Sequence, residues 1–160
     1  MADVGVQYVL VTPGGTITFN QTTVPFAGQD QYYITEIRGL GSPALRTPFD
    51  PVPLGDGALI HTFWKGARHI GIEGTMLVQS TGIEDDIVVI RNQMEADLST
   101  ALESILAADG TLTYTPQGQP TAQFFTVNYE IGCEYTHTNN YHSLDFAFGL
   151  ISGSPDWTAP

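Results

Sequence analysis

Four histidines are the residues in this sequence best suited to hold a metal ion, at positions His61, His69, His137 and His142. The last two are five residues apart and close to Glu134 and Asp145, so a metal site across a hairpin would use ordinary imidazole and carboxylate ligands. The turn signal at 139–140, however, brings polar side chains together without any metal. We therefore predict no metal site, and we interpret His61 and His69 as structural residues on facing strands.

Nucleophilic catalysis has no recognisable motif in the chain. A serine or cysteine nucleophile needs a base and an orienting acid, and neither the serines nor the single cysteine, Cys133, lie in a nucleophile elbow or a cysteine-protease motif. Cys133 falls on the apolar side of a predicted strand, which indicates a small core residue. Asp85 and Asp86 lie where a helix dipole favours anions. We predict that the protein is not an enzyme and binds no cofactor.

The charge of the chain is strongly negative, with 17 acidic against 5 basic side chains and a formal net charge of −12 over 160 residues. Proteins that grip nucleic-acid phosphates or anionic membranes need clustered Lys and Arg, so both classes are disfavoured. The apolar stretches are far shorter than the ~20 residues of a bilayer span. With no targeting segment visible, we expect a protein that folds in a cytoplasm, as one domain with a real core.

Alternating apolar residues predict a series of β-strands. A turn signal at 13–15 between two apolar runs predicts a β-hairpin across 12–15. Further strands are predicted at 31–40, 58–65, 67–79, 111–114, 122–135 and 142–150. On the strand at 122–135, one parity carries all the apolar residues from Phe125 to Cys133, so this whole side is expected to face the core.

One segment, 83–108, has apolar residues at helical spacing and predicts a long amphipathic helix. Ser80 or Thr81 can cap its start, and Gly110 is expected to end it. One helix among many strands predicts a mainly β fold, an antiparallel β-sandwich or barrel with the helix packed on its side. The absence of strand–helix alternation argues against a doubly wound parallel sheet.

A loop at 41–57 carries four prolines and three glycines. Proline removes backbone donors and fixes φ, so this stretch is neither a central strand nor a helix. Loops of this length are usually functional or linkers, and we interpret this one as an extended contact arm. The turn-rich tail at 152–160 is expected to be mobile unless it docks.

Three glycine-rich motifs lie in the middle of the chain: GLGSPALR at 39–46, GDGA at 55–58 and GARHIGIEGTM at 66–76. Placed between an aromatic strand and a long helix, they resemble the N-terminal domain of phage distal tail proteins, most closely those of long-tailed phages of actinobacteria. The resemblance covers 31–150. It implies a single ring-forming tail domain over 1–160, with a barrel-plus-helix fold like that of tail-tube subunits.

The resemblance also implies a function and partners. The chain would be a structural subunit of a homo-hexameric ring at the phage tail tip, made in the bacterial host cytoplasm. The tail-tube protein would lie above the ring, tail-tip proteins below it, and DNA would pass through as cargo. Six copies at −12 each would carry −72 formal charges, which would repel phosphates. The acidity would equally serve solubility alone.

The scarce cations and the arm supply the candidate contact residues. We predict that Arg46 and Arg68 pair with carboxylates within or between subunits and fix the loop; the alternative is a solvated surface arginine, which contributes little. The full set of candidates for intersubunit or loop-fixing contacts is Arg38, Arg46, Arg68, Pro43, Phe49 and Trp64.

Two other functions stay open from the sequence. The same architecture would suit a tail-tube (major tail) subunit, which stacks in many copies instead of forming one ring. From a different class, a β-sandwich with exposed tyrosines together with Trp64 and Trp157 would suit a carbohydrate-binding module.

Overall fold

The computed structural model describes residues 6–21, 30–41, 45–46, 49–51, 58–60, 64–65, 67–79, 84–114 and 121–153. The elements of these residues, in chain order, are β1 (Tyr8–Thr12), β2 (Gly15–Phe19), β3 (Gln31–Arg38), β4 (Leu45–Arg46), β5 (Phe49–Pro51), β6 (Ala58–Ile60), β7 (Trp64–Lys65), β8 (Arg68–Leu77), α1 (Glu84–Ser104), β9 (Gly110–Tyr114), β10 (Gln123–His137) and β11 (Ser143–Ser152). Within this part of the chain, no helix is both long and apolar enough to cross a membrane.

Seven strands form a closed barrel in the order β1-β2-β3-β8-β11-β10-β9, and β9 pairs back to β1. All neighbours are antiparallel except β2 and β3, which meet in parallel at one pair, Phe19 and Tyr32. Asn20, which has a left-handed backbone conformation (φ 52°), links the chain at this parallel pair. Its side-chain amide N–H donates to the Val6 carbonyl, and its side-chain oxygen accepts the Ile34 N–H. The predicted mainly β fold with one helix is confirmed, and its form is a barrel.

Local patterns place several strands where the sequence predicts them. The hairpin across 12–15 is confirmed, with Thr12 opposite Gly15 at the end of the β1–β2 ladder. On β8, Ile70, Ile72 and Met76 all face the core, because a strand alternates its side chains between two faces. The alternate residues of β11 from 144 to 150 are buried in the same way.

Helix α1 packs its apolar side on the barrel and shares its core. The buried side chains of the helix and the turn that follows it are Ile87, Met94, Leu98, Ala101, Leu102 and Ile105. Two barrel hydroxyls bind helix carbonyls: Tyr32 donates to Met94 at 2.9 Å and Tyr135 donates to Glu95 at 3.2 Å. Burial raises the pKa of both tyrosines, so both remain neutral donors at ordinary pH.

The helix ends earlier than the sequence predicts. It stops at Ser104, and the next residues tighten into i→i+3 hydrogen bonds, a common way to satisfy terminal carbonyls. Leu106 is therefore 71% exposed instead of lying on the buried face. Gly110 does not end the helix but opens β9, where an added Cβ would lie 3.1 Å from the Val11 carbonyl. The predicted caps, Ser80 and Thr81, lie outside the described residues.

Bulges change which side chains of two strands face the core. The pairing of β3 with β8 shifts between Ile34 and Glu36, so Ile37 packs against the core and Glu36 turns outward. Two shifts on β10, on either side of Ile131, break the predicted apolar side. Ile131 is 60% exposed, and Cys133 is half-buried at the edge of the core instead of inside it.

The prediction of a single strand at 58–65 is wrong, because its described residues belong to two strands, β6 and β7, in different sheets. They pair with β5 and β4 in two small antiparallel sheets separate from the barrel. The neighbours of β8 are instead β3 and β11, so Ile151 lies opposite His69. His61 lies outside the described residues. From here on, the arm means the segment 45–65 between β3 and β8, which overlaps the contact arm predicted at 41–57 and extends to β7.

Candidate functional site

The outer face of the neighbouring strands β3, β8, β11 and β10 is acidic. One row of paired residues runs across the four strands in the order Glu36, Glu73, Ala147 and Glu134. This row therefore carries three carboxylates. We call this surface the acidic sheet face; its acidic residues are Glu36, Glu73, Glu130, Glu134 and Asp145. These residues are spread along the chain from Glu36 to Asp145. Pairing between distant strands, together with the bulges in β3 and β10, brings them onto one surface.

Arg38 offsets the repulsion within the first row. Like charges directly opposite each other destabilise a strand pair, and Glu36 faces Glu73 in this way. Arg38 places its Nε 2.5 Å from the Glu36 Oε1 and its Nη2 3.4 Å from the Glu73 Oε1. Its hydrogen bond lowers the pKa of the Glu36 carboxyl, and Glu36 in turn raises the pKa of the Arg38 guanidinium. Arg38, one of the candidate contact residues, thus forms its described ion pairs with carboxylates of the acidic sheet face.

A groove of about 340 Å³ crosses the acidic sheet face. Thr75 donates its hydroxyl to Asp145 Oδ1 at 2.6 Å, which holds that carboxylate at one end. Within the described part of the chain, the Glu134 carboxylate has no hydrogen bond or ion pair. The acidic groove, as we call it, is lined by Thr35, Glu73, Gly74, Thr75, Glu134, Thr136, Asp145, Phe146 and Ala147. It therefore holds three carboxylates with Arg38 beside one of them.

The three described histidines are separated. His69 lies on the acidic sheet face with its Nδ1 2.6 Å from Glu130 Oε1. His142 instead bonds through its Nδ1 to the Val78 carbonyl at 3.0 Å, and His137 is exposed. Among the residues that the structure describes, no three His, Cys, Asp or Glu side chains form a group that could hold a metal ion.

Cys133 has the properties of a structural thiol. Burial raises the pKa of its thiol, and a protonated thiol is a poor nucleophile. Its backbone N–H donates to the Tyr129 hydroxyl at 2.5 Å within the bulged part of β10. The geometry thus gives this cysteine a place in packing and no activation.

Arg68 is a buried cation at the root of the arm. It lies on the core side of β8, only 4% exposed, with its guanidinium carbon 4.5 Å from the centre of the Phe125 ring. Its Nη1 donates to the carbonyls of Gly39, at 3.0 Å, and Gly41. These two hydrogen bonds fasten the segment that leads out of β3; the pairing of Arg68 with carboxylates stays a prediction.

Gly39 is required for this arrangement. Its φ of 85° is rarely adopted by residues with a side chain, and an added Cβ would lie 1.8 Å from the His69 carbonyl oxygen. Two of the motifs noted in the sequence, 39–46 and 66–76, therefore meet here, because the glycines of the first supply the carbonyls that Arg68 of the second binds. The alternation of side chains on β8 could have predicted that Arg68 faces the core, because Arg68 lies two residues before the buried Ile70 on the same side of the strand.

Three other candidate residues, Arg46, Phe49 and Trp64, belong to the arm. Arg46 on β4 lies opposite Trp64 on β7, and Phe49 on β5 lies opposite Ile60 on β6. Pro43 lies outside the described residues. The structure therefore brings two candidates, Arg46 and Trp64, to one strand pair. The acidic groove was missed from the sequence, because the pairing of distant strands creates it.

The barrel with its packed helix is similar in fold to solved phage tail proteins. The chain is similar to the Dit (gp 19.1) protein of SPP1, described as a paradigm of the hub adsorption apparatus in phages that infect Gram-positive hosts. The TM-score is 0.59 at 15% identity, over 96% of this chain and 52% of that one. It is also similar to a chain of the phage P2 baseplate in its activated conformation with Ca, with a TM-score of 0.55 at 13% identity, over 95% and 45%.

These likenesses confirm the resemblance to distal tail proteins at the level of the fold. At such low identity they carry the fold alone, and the chain spans about half the length of the solved proteins it matches. No family model matches the sequence, and no curated protein matches it.

Proposed function

We propose that this protein is a structural component of a phage tail, the distal tail ring subunit that joins the tail tube to the tail tip. The observation that carries the proposal is the likeness to the SPP1 Dit fold over 96% of the chain. In this role the chain acts as one ring-forming domain over 1–160, with an extended loop at 41–57 and a mobile tail at 152–160. It has no catalytic role, and it reaches the virion after synthesis in the host cytoplasm.

The assembly we propose is a homo-hexameric ring with DNA as passing cargo. The charge distribution supports it, because the described acidic residues fall mainly into two groups, the acidic sheet face and helix α1. A ring of six chains concentrates this charge, and like-charged walls repel phosphates electrostatically. DNA then crosses the ring without binding to it, while the tube protein and the tip proteins contact its two rims.

The arm is the ring contact that we propose. Arg68 and Gly39 hold its root to the barrel, and the strand pair β4–β7 bears Arg46 and Trp64. Trp and Arg are enriched at the energetic centres of protein interfaces. In this assignment Arg68 orients the arm, while Arg46, Trp64 and Phe49 make contacts with neighbouring subunits.

Electron microscopy tests this function. Single six-fold rings of the purified full chain are the expected result, and long tubes would instead indicate a tail-tube subunit. Gold-labelled antibody against the chain, applied to virions that carry it, should mark the tail tip. Label along the whole tail, or none on the particles, would refute the distal position.

A further inference from the structure

The barrel is closed at one narrow junction, between β2 and β3, which we call the β2–β3 seam. Within the described residues these two strands share one residue pair, Phe19 and Tyr32. Every other pair of neighbouring strands in the barrel shares at least four. Because cross-strand pairs are the unit of sheet stabilisation, the β2–β3 seam is the least fastened part of the barrel wall.

Asn20 supplies three hydrogen bonds at the β2–β3 seam. Its backbone N–H donates to the Tyr32 carbonyl at 2.9 Å, its side-chain oxygen accepts the Ile34 N–H at 2.9 Å, and its side-chain amide donates to the Val6 carbonyl at 3.3 Å. Its φ of 52° lies in the left-handed region, which asparagine adopts more readily than most residues with a side chain. One residue therefore holds this seam where a ladder holds the others.

A buried side chain without a hydrogen-bond partner lies beside the same seam. Gln31 directly precedes Tyr32 on β3 and is only 3% exposed. Among the described residues, neither its side-chain oxygen nor its side-chain nitrogen has a hydrogen-bond partner. A buried amide that is left unpaired costs free energy, because in water both atoms form hydrogen bonds. The closed barrel therefore contains a group that favours separation at its narrowest junction.

The aromatic core keeps the closed form the stable one. Phe19 is fully buried, and its ring centre lies 6.0 Å from that of Tyr32 and 6.1 Å from that of Phe146. Buried aromatic side chains contribute strongly to the stability of a core. Separation at the seam is therefore a minor state, and it requires less free energy than global unfolding because the other ladders remain intact.

We infer that the barrel opens locally at the β2–β3 seam while its other six junctions stay paired, and that Asn20 and Gln31 set this equilibrium in opposite directions. Asn20 stabilises the closed form through its hydrogen bonds. Gln31 destabilises it, because its amide gains water when β3 separates from β2 beside Tyr32. Proteins open in such cooperative units with free energies between those of fraying ends and of global unfolding. This local opening does not depend on the proposed ring.

Hydrogen exchange of the full chain, resolved by NMR at single amides, measures this opening. The reporters are the amides of Asn20 and Ile34, whose hydrogen bonds cross the seam, and the references are the amides of β8 and β11. After correction for intrinsic rates, the reporters should exchange at least about tenfold faster than the references, with a weaker dependence on urea. Equal protection of both groups would overturn the inference, because the seam would then open only when the whole barrel unfolds.

Two variants with opposite effects separate this opening from fraying of the strand ends. Gln31→Met keeps an unbranched side chain and removes the unpaired amide, so exchange of both reporters should slow at least about fivefold. Asn20→Gly keeps access to the left-handed backbone and removes two side-chain hydrogen bonds, so the amide at position 20 should exchange at least about tenfold faster. The control, Asn140→Gly, removes a side chain that accepts the His142 N–H at 3.0 Å outside the seam, and it should leave the reporters unchanged.

Circular dichroism of each variant establishes that it is folded, and Gln31→Met decides the question even if Asn20→Gly does not fold. Reporter exchange that is unchanged or faster in Gln31→Met would refute the inference, because the unpaired amide would then have no part in the opening. Equal acceleration at position 20 by Asn20→Gly and Asn140→Gly would refute it as well, since the effect would not be specific to the seam.

Discussion

Replacing Arg68 with Met tests the root of the arm most sharply. Methionine keeps an apolar stem over Phe125 but removes the guanidinium, which leaves the carbonyls of Gly39 and Gly41 without this donor. Hydrogen bonds to charged groups contribute about 1.5–3 kcal/mol each, and a desolvated cation over an aromatic ring adds about 1–2 kcal/mol. Relief of the cost of burying the charge offsets part of this loss, so we expect about 3 kcal/mol of destabilisation.

Urea unfolding followed by circular dichroism measures this difference, and hydrogen exchange reports where it acts. The free energy of unfolding should fall by about 3 kcal/mol, and the amides of β4 and β7 should exchange faster while those of β11 change least. Arg38→Met, a change at an exposed arginine, is the control and should alter stability far less. A loss below about 1 kcal/mol for Arg68→Met, or faster exchange spread evenly over the barrel, would refute the role of Arg68 in holding the arm.

Three further predictions follow from individual contacts. Gly39→Ala should destabilise the protein by at least about 2 kcal/mol in thermal unfolding, because the φ is positive and the added Cβ would lie 1.8 Å from a β8 carbonyl oxygen. Arg38→Gln should lower stability at neutral pH and low salt; since Arg38 lowers the pKa of Glu36, the difference should vanish as pH falls through that pKa, in acid titrations of both proteins. Tyr32→Phe should cost about 1 kcal/mol in urea unfolding, because a hydrogen bond to α1 is lost; the raised pKa of Tyr32 also predicts that the wild-type advantage persists near neutral pH and falls in strong alkali.

The meeting of two sequence motifs at Arg68 gives a physical account of the resemblance to distal tail proteins. Gly39 of the first motif allows a positive φ and a close approach to β8, and the arginine of the second binds the carbonyls that this conformation presents. The motif glycines and the arginine therefore act as one structural unit that sets where the arm leaves the barrel. A contact arm with an ordered root loses less conformational entropy on docking than a free loop does.

Local periodicity was enough to predict much of the fold. The alternation in β8 and β11, the turn at 12–15 and the apolar stripe of α1 are each properties of a few neighbouring residues, and all three were predicted correctly. They work because side-chain direction repeats every two residues on a strand and every 3.6 on a helix. The acidic composition and the lack of a catalytic motif also follow from the sequence alone.

The tertiary structure decided what depends on pairing between distant strands. The partners of 58–65, the bulges that turn Glu36 and Ile131 outward, and the acidic groove arise from register between segments up to about a hundred residues apart. A one-residue shift exchanges the two faces of a strand, so alternation read along one strand fails beyond a bulge. The sequence determined the kind of elements and the total charge, and strand registry decided where that charge was concentrated.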